Sequence, residues 1–173
     1  MLSSLPRAAD LYQLAAAGKS YTGRIDPSEF QRLLSAVHRA GRCVDISLRF
    51  GVEEGVHYLR GELDTELVAL CQRCMAPVTL PVRSCFLLGL VRSAGEEPLL
   101  PDRFEPFRVE QREMDLHALV EDELLLSLPL VPRHPAGECL QPPIGGATGR
   151  ESGSDRQNPF AVLAGLAARD EEH

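Results

Sequence analysis

Four residues of this chain have the types and the spacing of a metal centre. Cys71 and Cys74 form a C-x-x-C pair between two runs of alternating apolar and polar residues, which predicts the tip of a β-hairpin. His134 and Cys139 form a second pair in a segment rich in proline and glycine. Structural zinc sites hold the ion with four thiolate or imidazole ligands, two of them often from a tight C-x-x-C turn. We therefore expect these four residues to bind one structural Zn²⁺.

Other interpretations of the cysteines remain open at this stage. The two pairs lie far apart in the chain, so the pattern also fits a hairpin tip without an ion. A thioredoxin-type redox pair fits less well, because that motif begins a helix in a βαβ unit. Cys43 and Cys85 fall within strand patterns, which predicts small core or sheet residues rather than ligands. An odd number of cysteines, five, in a chain without an export signal argues against a disulfide framework.

The segments around the C-x-x-C motif have the pattern of strands. Residues 42–50 and 58–70 alternate between apolar and polar side chains, and residues 78–90 continue the alternation. Pro81 in the third run indicates an edge strand or a bulge. Residues 104–109 are a short final strand candidate. We expect an antiparallel, strongly curved sheet with one face in water.

Two main helices are predicted beside this sheet. The first has Asp26 as its N-cap and Pro27 at its first position, and Gly41 ends it. The second is capped by Asp115 and ends before Pro129, because proline cannot continue the hydrogen-bond ladder. The fold class expected from these elements is α+β.

The domain organisation follows from composition. Residues 1–140 are expected to form a single α+β domain, and the Gly- and Ser-rich residues 141–157 a flexible linker. Residues 158–168 have the capping and apolar pattern of a short docking helix, and residues 169–173 form an acidic tail.

Bulk composition limits the function classes. The net charge of -7 disfavours non-specific binding to a phosphate backbone and favours a basic protein partner. Apolar runs are too short to span a membrane, and Arg7 and Asp10 interrupt the N-terminal segment, so we expect a cytoplasmic protein. The sequence contains no P-loop, G-x-G-x-x-G, G-x-S-x-G or H-E-x-x-H motif. We expect neither an enzyme nor a small-molecule substrate.

The order of several motifs resembles one family over nearly the whole chain. The matching motifs are Tyr21-x-Gly23, Cys71-Gln72-Arg73-Cys74, residues 115–123 leading into residues 128–132, His134-x4-Cys139 and residues 158–163. In this combination they resemble the YceD-type family, the bacterial large ribosomal RNA subunit accumulation proteins. The resemblance implies a role in the synthesis, processing or stability of 23S rRNA. Many relatives carry cysteines at the positions of His134 and Cys139, which implies that those relatives have a site with four thiolates. A histidine in place of one cysteine is also a competent zinc ligand.

The resemblance implies a role in ribosome biogenesis, and our first hypothesis is that the protein acts there as a non-enzymatic binding or assembly protein. Expected partners are a large-subunit ribosomal protein or an rRNA-processing factor, with 23S rRNA contacted directly or indirectly. The alternative is a direct rRNA binder or an RNA-processing enzyme. The residues expected to contact a partner are Arg73, Glu121, Asp122, Glu123, Asn158, Pro159 and Phe160. An acidic run on a helix, however, is ordinarily a solvated face.

Overall fold

The computed structural model describes residues 5–139, which form an α+β fold. The α-helices are Leu11–Ala16 (α1), Gln31–Ala36 (α2) and Leu116–Leu126 (α3). The strands are Ala8–Ala9 (β1), Ser20–Ile25 (β2), Arg39–Ala40 (β3), Val44–Glu53 (β4), Val56–Leu70 (β5), Pro77–Val91 (β6), Glu105–Arg108 (β7) and Met114–Asp115 (β8). None of the helices in this part of the chain is long and apolar enough to cross a membrane.

The main sheet has the strand order β2-β4-β5-β6-β7, and β3 also pairs with β5. Antiparallel pairing joins β2 to β4, β4 to β5 and β5 to β6, and the alternation predicted it for the last two of these pairs. A second, two-stranded sheet is formed by β1 and β8. The expectation of a purely antiparallel sheet is wrong at one edge, because β7 runs parallel to the end of β6. Residues 92–104 form a crossover that returns the chain before β7 begins, as a parallel pair requires. Strong curvature stays a prediction.

The predicted alternation of buried and exposed residues is confirmed in the long strands. One face of β4 and β5 is buried against the helices, and this core contains Val44, Ile46, Leu48, Phe50, Leu59, Leu63 and Leu67. Helix α3 contributes Leu116, Leu119, Val120 and Leu124 to the same core. Pro81 lies opposite Glu66, in the part of β6 that pairs only with β5. The predicted edge position is therefore confirmed, and it suits a residue that has no N–H to donate.

The first predicted helix is wrong in its extent. Asp26 caps a 3₁₀ turn, Pro27–Glu29, by accepting a hydrogen bond from the Ser28 N–H at 2.8 Å. Phe30 then leaves the helical conformation, with φ -105° and ψ 83°, and its side chain is buried in the core. Helix α2 begins only after Phe30 and ends at Ala36, so one predicted helix becomes two short ones. The second predicted helix is confirmed as α3, with Asp115 as its N-cap.

The predicted linker 141–157, docking helix 158–168 and acidic tail 169–173 lie outside the described residues. They stay predictions, as does the boundary of the single domain at residue 140.

Candidate metal centre

The C-x-x-C motif lies at the tip of the β5–β6 hairpin, as the sequence predicted. Strand β5 ends at Leu70 and β6 begins at Pro77. The Cys71 N–H donates to the Ala76 carbonyl at 2.9 Å, and the Met75 N–H donates to the Cys71 carbonyl at 2.8 Å. Met75 has φ 61°, a left-handed conformation that closes the turn immediately after Cys74. The tight turn therefore holds Cys71 and Cys74 close together in space.

The segment after α3 runs against this hairpin tip. The Gln72 N–H donates to the Pro132 carbonyl at 2.8 Å, which fixes the segment just before His134. Gly137 has φ 89°, and the Glu138 N–H donates to the Pro135 carbonyl at 3.2 Å, so the chain turns back before Cys139. Glycine suits this position because a side chain would strain the left-handed backbone. Two local turns thus bring His134 and Cys139 to the C-x-x-C pair.

The structure brings all four predicted ligands together, with every pair of ligand atoms within 4.8 Å. Sγ of Cys139 is 3.8 Å from Cys71 Sγ and 3.8 Å from His134 Nδ1, and Cys74 Sγ is 3.4 Å from the same nitrogen. A tetrahedron built with zinc–ligand bond lengths has edges of about 3.8 Å between sulfurs and about 3.5 Å between sulfur and nitrogen. The Cys139–Cys71 and Cys74–His134 separations match these edges, and the Cys139–His134 separation of 3.8 Å is slightly longer, so the cluster could hold a metal ion.

His134 has a partner that fixes its tautomer. Its Nε2 lies 3.0 Å from the Pro77 carbonyl oxygen, which can only accept a hydrogen bond. Nε2 must therefore carry the proton, and Nδ1 presents its lone pair to the sulfurs. Metal-binding histidines usually donate their other ring N–H in this way. The contact also joins the segment 130–139 to the first residue of β6.

Hydrogen-bond donors around the sulfurs favour thiolate. Burial of Cys71 raises the pKa of its thiol, but the N–H groups of His134, Arg73 and Cys74 outweigh this and lower it to about 5. For Cys74 the Ala76 N–H lowers the pKa, but burial and the neighbouring sulfurs of Cys139 and Cys71 outweigh it, so the pKa is raised. Several thiolates this close together repel one another, and a bound cation would relieve that repulsion.

Arg73 lies between the two cysteines, and its side chain is folded onto the centre. Its Nε donates to Cys139 Sγ at 2.9 Å, and its Nη2 donates to the Pro135 carbonyl at 3.3 Å. The hydrogen bond to Cys139 raises the pKa of this guanidinium above its ordinary value. Arg73 therefore supplies a positive charge beside the Cys139 sulfur, a contact that the sequence pattern did not indicate. The partner contact predicted for Arg73 stays a prediction.

The acidic run on α3 includes one residue with a structural contact. Glu121 is buried, and its carboxylate accepts hydrogen bonds from the N–H groups of Arg32 and Leu33 at 2.7 and 3.1 Å. It also accepts from Arg32 Nε at 2.8 Å, and the exposed Asp122 accepts from Arg32 Nη1 at 2.6 Å. Glu121 thereby caps the start of α2 from another helix. No local sequence signal marks this contact, because the two partners lie 89 residues apart.

The remaining predicted residues have simpler positions. Glu123 is half-buried, and burial together with Glu105 and Asp122 raises the pKa of its carboxyl group. Asn158, Pro159 and Phe160 lie outside the described residues. Cys43 and Cys85 do not join the cluster, as predicted, but both are exposed rather than in the core.

The comparisons with known proteins identify the family. The family model described as "Large ribosomal RNA subunit accumulation protein YceD" matches residues 59–167. The chain is 30% identical over 167 residues to the large ribosomal RNA subunit accumulation protein YceD of Haemophilus influenzae. These aligned residues cover 94% of this chain and 95% of that protein. The chain therefore belongs to the YceD family, as its motifs indicated. No solved structure matches it.

Proposed function

We propose that this protein is a non-enzymatic ribosome biogenesis factor that supports the accumulation of 23S rRNA by binding components of the large subunit. Its membership of the YceD family supports this role, because its Haemophilus influenzae relative is named for accumulation of that RNA subunit. The observation that carries the proposal is the four-ligand cluster between the hairpin tip and the segment 130–139. A site with four protein ligands leaves a tetrahedral metal no open position for a substrate, which is the arrangement of structural zinc.

In this proposal Cys71, Cys74, His134 and Cys139 bind one Zn²⁺. The ion holds the segment 130–139 on the hairpin tip and so orders the surface around it. That surface is unusually apolar for an exposed position: the exposed fractions are 95% for Leu130, 61% for Met75, 44% for Val131 and 38% for Leu70. Exposed apolar residues that lie close together are typical of a protein interaction site.

The proposed partner at this surface is a large-subunit ribosomal protein or an rRNA-processing factor. The chain carries a net charge of -7, which favours a basic partner and predicts binding that weakens as salt increases. Ribosomal proteins are the basic proteins that a factor of this family would encounter on its target. The metal thus has an architectural role, and the apolar surface makes the contact.

Co-sedimentation with large-subunit precursor particles tests this proposal. We expect the zinc-loaded chain to sediment with these particles at low salt and to dissociate as salt rises. Cys139→Ser should weaken the association, because it removes a ligand that fixes the segment. Cys85→Ser is the matched control, since Cys85 is exposed and lies outside the cluster. Absence of co-sedimentation of the wild-type chain at every salt concentration would overturn the proposal.

A further inference from the structure

Two arginines lie directly opposite each other on the solvent face of the main sheet. Arg49 of β4 is in register with Arg60 of β5, and both side chains are exposed. Like charges in directly opposed positions destabilise an antiparallel pair. Neither guanidinium forms an ion pair within the part of the chain that the structure describes. The nearest carboxylate on this face is that of Glu62, two residues along β5 from Arg60 and opposite Ser47, and it forms no ion pair with either arginine.

Other arginines near this face are neutralised. Arg24 pairs with Asp45 at 2.7 Å, and Arg83 pairs with Asp64 at 2.7 Å, in the row of side chains along the same face. Arg103 lies with Arg60 along one surface cavity of about 400 Å³ and pairs with both Glu53 and Glu54, at 3.2 and 3.1 Å. Arg49 and Arg60 thus differ from these arginines in having no ion pair among the described residues, and Glu62 is the exposed carboxylate beside them.

An exposed lysine lies at this end of the sheet, but Ser20 is the residue opposite Arg49, so Lys19 does not share its face. The Lys19 carbonyl accepts a hydrogen bond from the Phe50 N–H at 2.8 Å, which places Lys19 beside the strand that carries Arg49. On a chain with a net charge of -7, the adjacent pair Arg49 and Arg60 differs in sign from the molecule as a whole. A local anion site fits this distribution better than broad non-specific binding.

An aromatic ring lies next to the two arginines. Tyr58 is two residues before Arg60 and therefore on the same face of β5, and it is paired with Gly51 on one side and Gly89 on the other. A Cβ atom at Gly51 would lie 2.7 Å from the Tyr58 hydroxyl and 2.9 Å from its Cε1. The ring therefore extends across the Gly51 backbone, where only glycine leaves room for it. Tyr58 is half-buried, so part of its surface stays accessible to a ligand.

We propose that this face binds single-stranded RNA, with Arg49 and Arg60 on a phosphate group and Tyr58 stacked on a base. Guanidinium groups match phosphate geometry with two parallel hydrogen bonds. Aromatic rings beside a positively charged surface are the usual platform for unpaired bases. An acidic protein segment would use the arginines but would have no need of the ring. The inference rests on the proposed function, since it names rRNA as a direct partner of a large-subunit factor.

Fluorescence anisotropy with a short, labelled single-stranded RNA of mixed sequence tests this inference. Arg49→Glu/Arg60→Glu should weaken binding by at least about tenfold, and the slope of log K against log salt should decrease by about 0.7, the value for the one phosphate group that the two arginines contact. The matched control is Arg7→Glu/Arg39→Glu, which makes the same charge change at exposed arginines distant from the pair, since Arg39 is opposite Val68, far along β5 from Arg60. Tyr58→Leu keeps an apolar side chain over Gly51 and should weaken binding by about tenfold without changing the salt slope.

The single variant Arg49→Glu separates binding from folding. It places a carboxylate opposite Arg60, so it should raise the melting temperature and yet weaken RNA binding. Wild-type affinity in Arg49→Glu/Arg60→Glu, or an equal loss in Arg7→Glu/Arg39→Glu, would overturn the inference. Binding of polyglutamate in place of RNA, dependent on Arg49 and Arg60, would also overturn it and indicate an acidic protein partner. If particles still co-sediment in Arg49→Glu/Arg60→Glu while none of these RNA effects appears, only this inference fails and the proposed function stands.

Discussion

Removal of the Glu121 carboxylate should destabilise the protein far more than removal of its exposed neighbour. In Glu121→Ala, the N–H groups of Arg32 and Leu33 lose the acceptor that caps α2. Loss of an N-cap costs about 1–2 kcal/mol. The Arg32 side chain is 53% exposed, against 10% for Glu121, so solvent screens their ion pair and we assign it at most about 1 kcal/mol. The expected decrease in the free energy of unfolding is about 2–3 kcal/mol.

Urea unfolding of the full chain, followed by circular dichroism, measures this decrease. Asp122→Ala is the matched control: Asp122 also pairs with Arg32, but it is exposed, and the expected loss is within about 0.5 kcal/mol. Glu121→Gln keeps an acceptor oxygen but not the charge, so its decrease in the free energy of unfolding should lie between those of Glu121→Ala and Asp122→Ala. Equal stabilities of Glu121→Ala and Asp122→Ala would refute the assignment of Glu121 as a cap of α2.

The same contact predicts a pH dependence. Burial raises the pKa of Glu121, but the N–H groups of Leu33 and Arg32 and the Arg32 guanidinium outweigh it and hold the pKa below its usual value of 4.5. A carboxyl group whose pKa is lowered by folding stabilises the protein fully above its unfolded pKa. This stabilisation decreases as the pH falls through the folded pKa. The stability difference between wild type and Glu121→Gln should therefore shrink below pH 4.5, and a constant difference would contradict this reasoning.

Two further predictions concern packing and the metal centre. A Cβ at Gly61 would lie 1.9 Å from Phe86 Cζ, so Gly61→Ala should lower the free energy of unfolding, measured in urea, by about 1–3 kcal/mol. Gly95→Ala is the control. Because the nearest contact of a Cβ there is at 3.8 Å, it should change this free energy by less than about 0.5 kcal/mol. Similar losses in both would contradict the close approach. Arg73→Ala should weaken zinc binding by about 10–100-fold in a chelator competition assay, because it removes the N–H donor to Cys139, and Arg133→Ala is the control. Unchanged zinc affinity in Arg73→Ala would show that the Arg73 side chain does not stabilise the bound metal.

Local patterns were sufficient to predict the hairpin and the four residues that cluster at its tip. The alternation in β4, β5 and β6 reflects burial of one face, and it determined which side chains enter the core. The C-x-x-C pair marked the turn between two of these strands. His134 and Cys139 were predictable because their chemistry suits zinc and their segment has turn residues. These features all depend on short-range spacing or on residue type.

The features that the sequence did not indicate depend on contacts between distant parts of the chain. Phe30 interrupts a helical pattern because its ring is buried in the core, and tertiary burial outweighs local helix propensity. Glu121 caps α2 from α3, so neither helix alone indicates the contact. Strand β7 is parallel to β6 because of the path of residues 92–104, which strand patterns do not specify. Arg73 resembles an exposed partner contact in sequence, yet its guanidinium donates to Cys139 Sγ.

Metal content of the full chain, purified without a chelator, tests the central claim most directly. We predict one zinc ion for each chain in wild type and in Cys85→Ser. Replacement of zinc by Co²⁺ should give the visible absorption of a tetrahedral site with thiolate ligands. Cys139→Ser should lose most of the metal and this absorption. A wild-type chain without metal, or Cys139→Ser with the same metal content as wild type, would contradict the account.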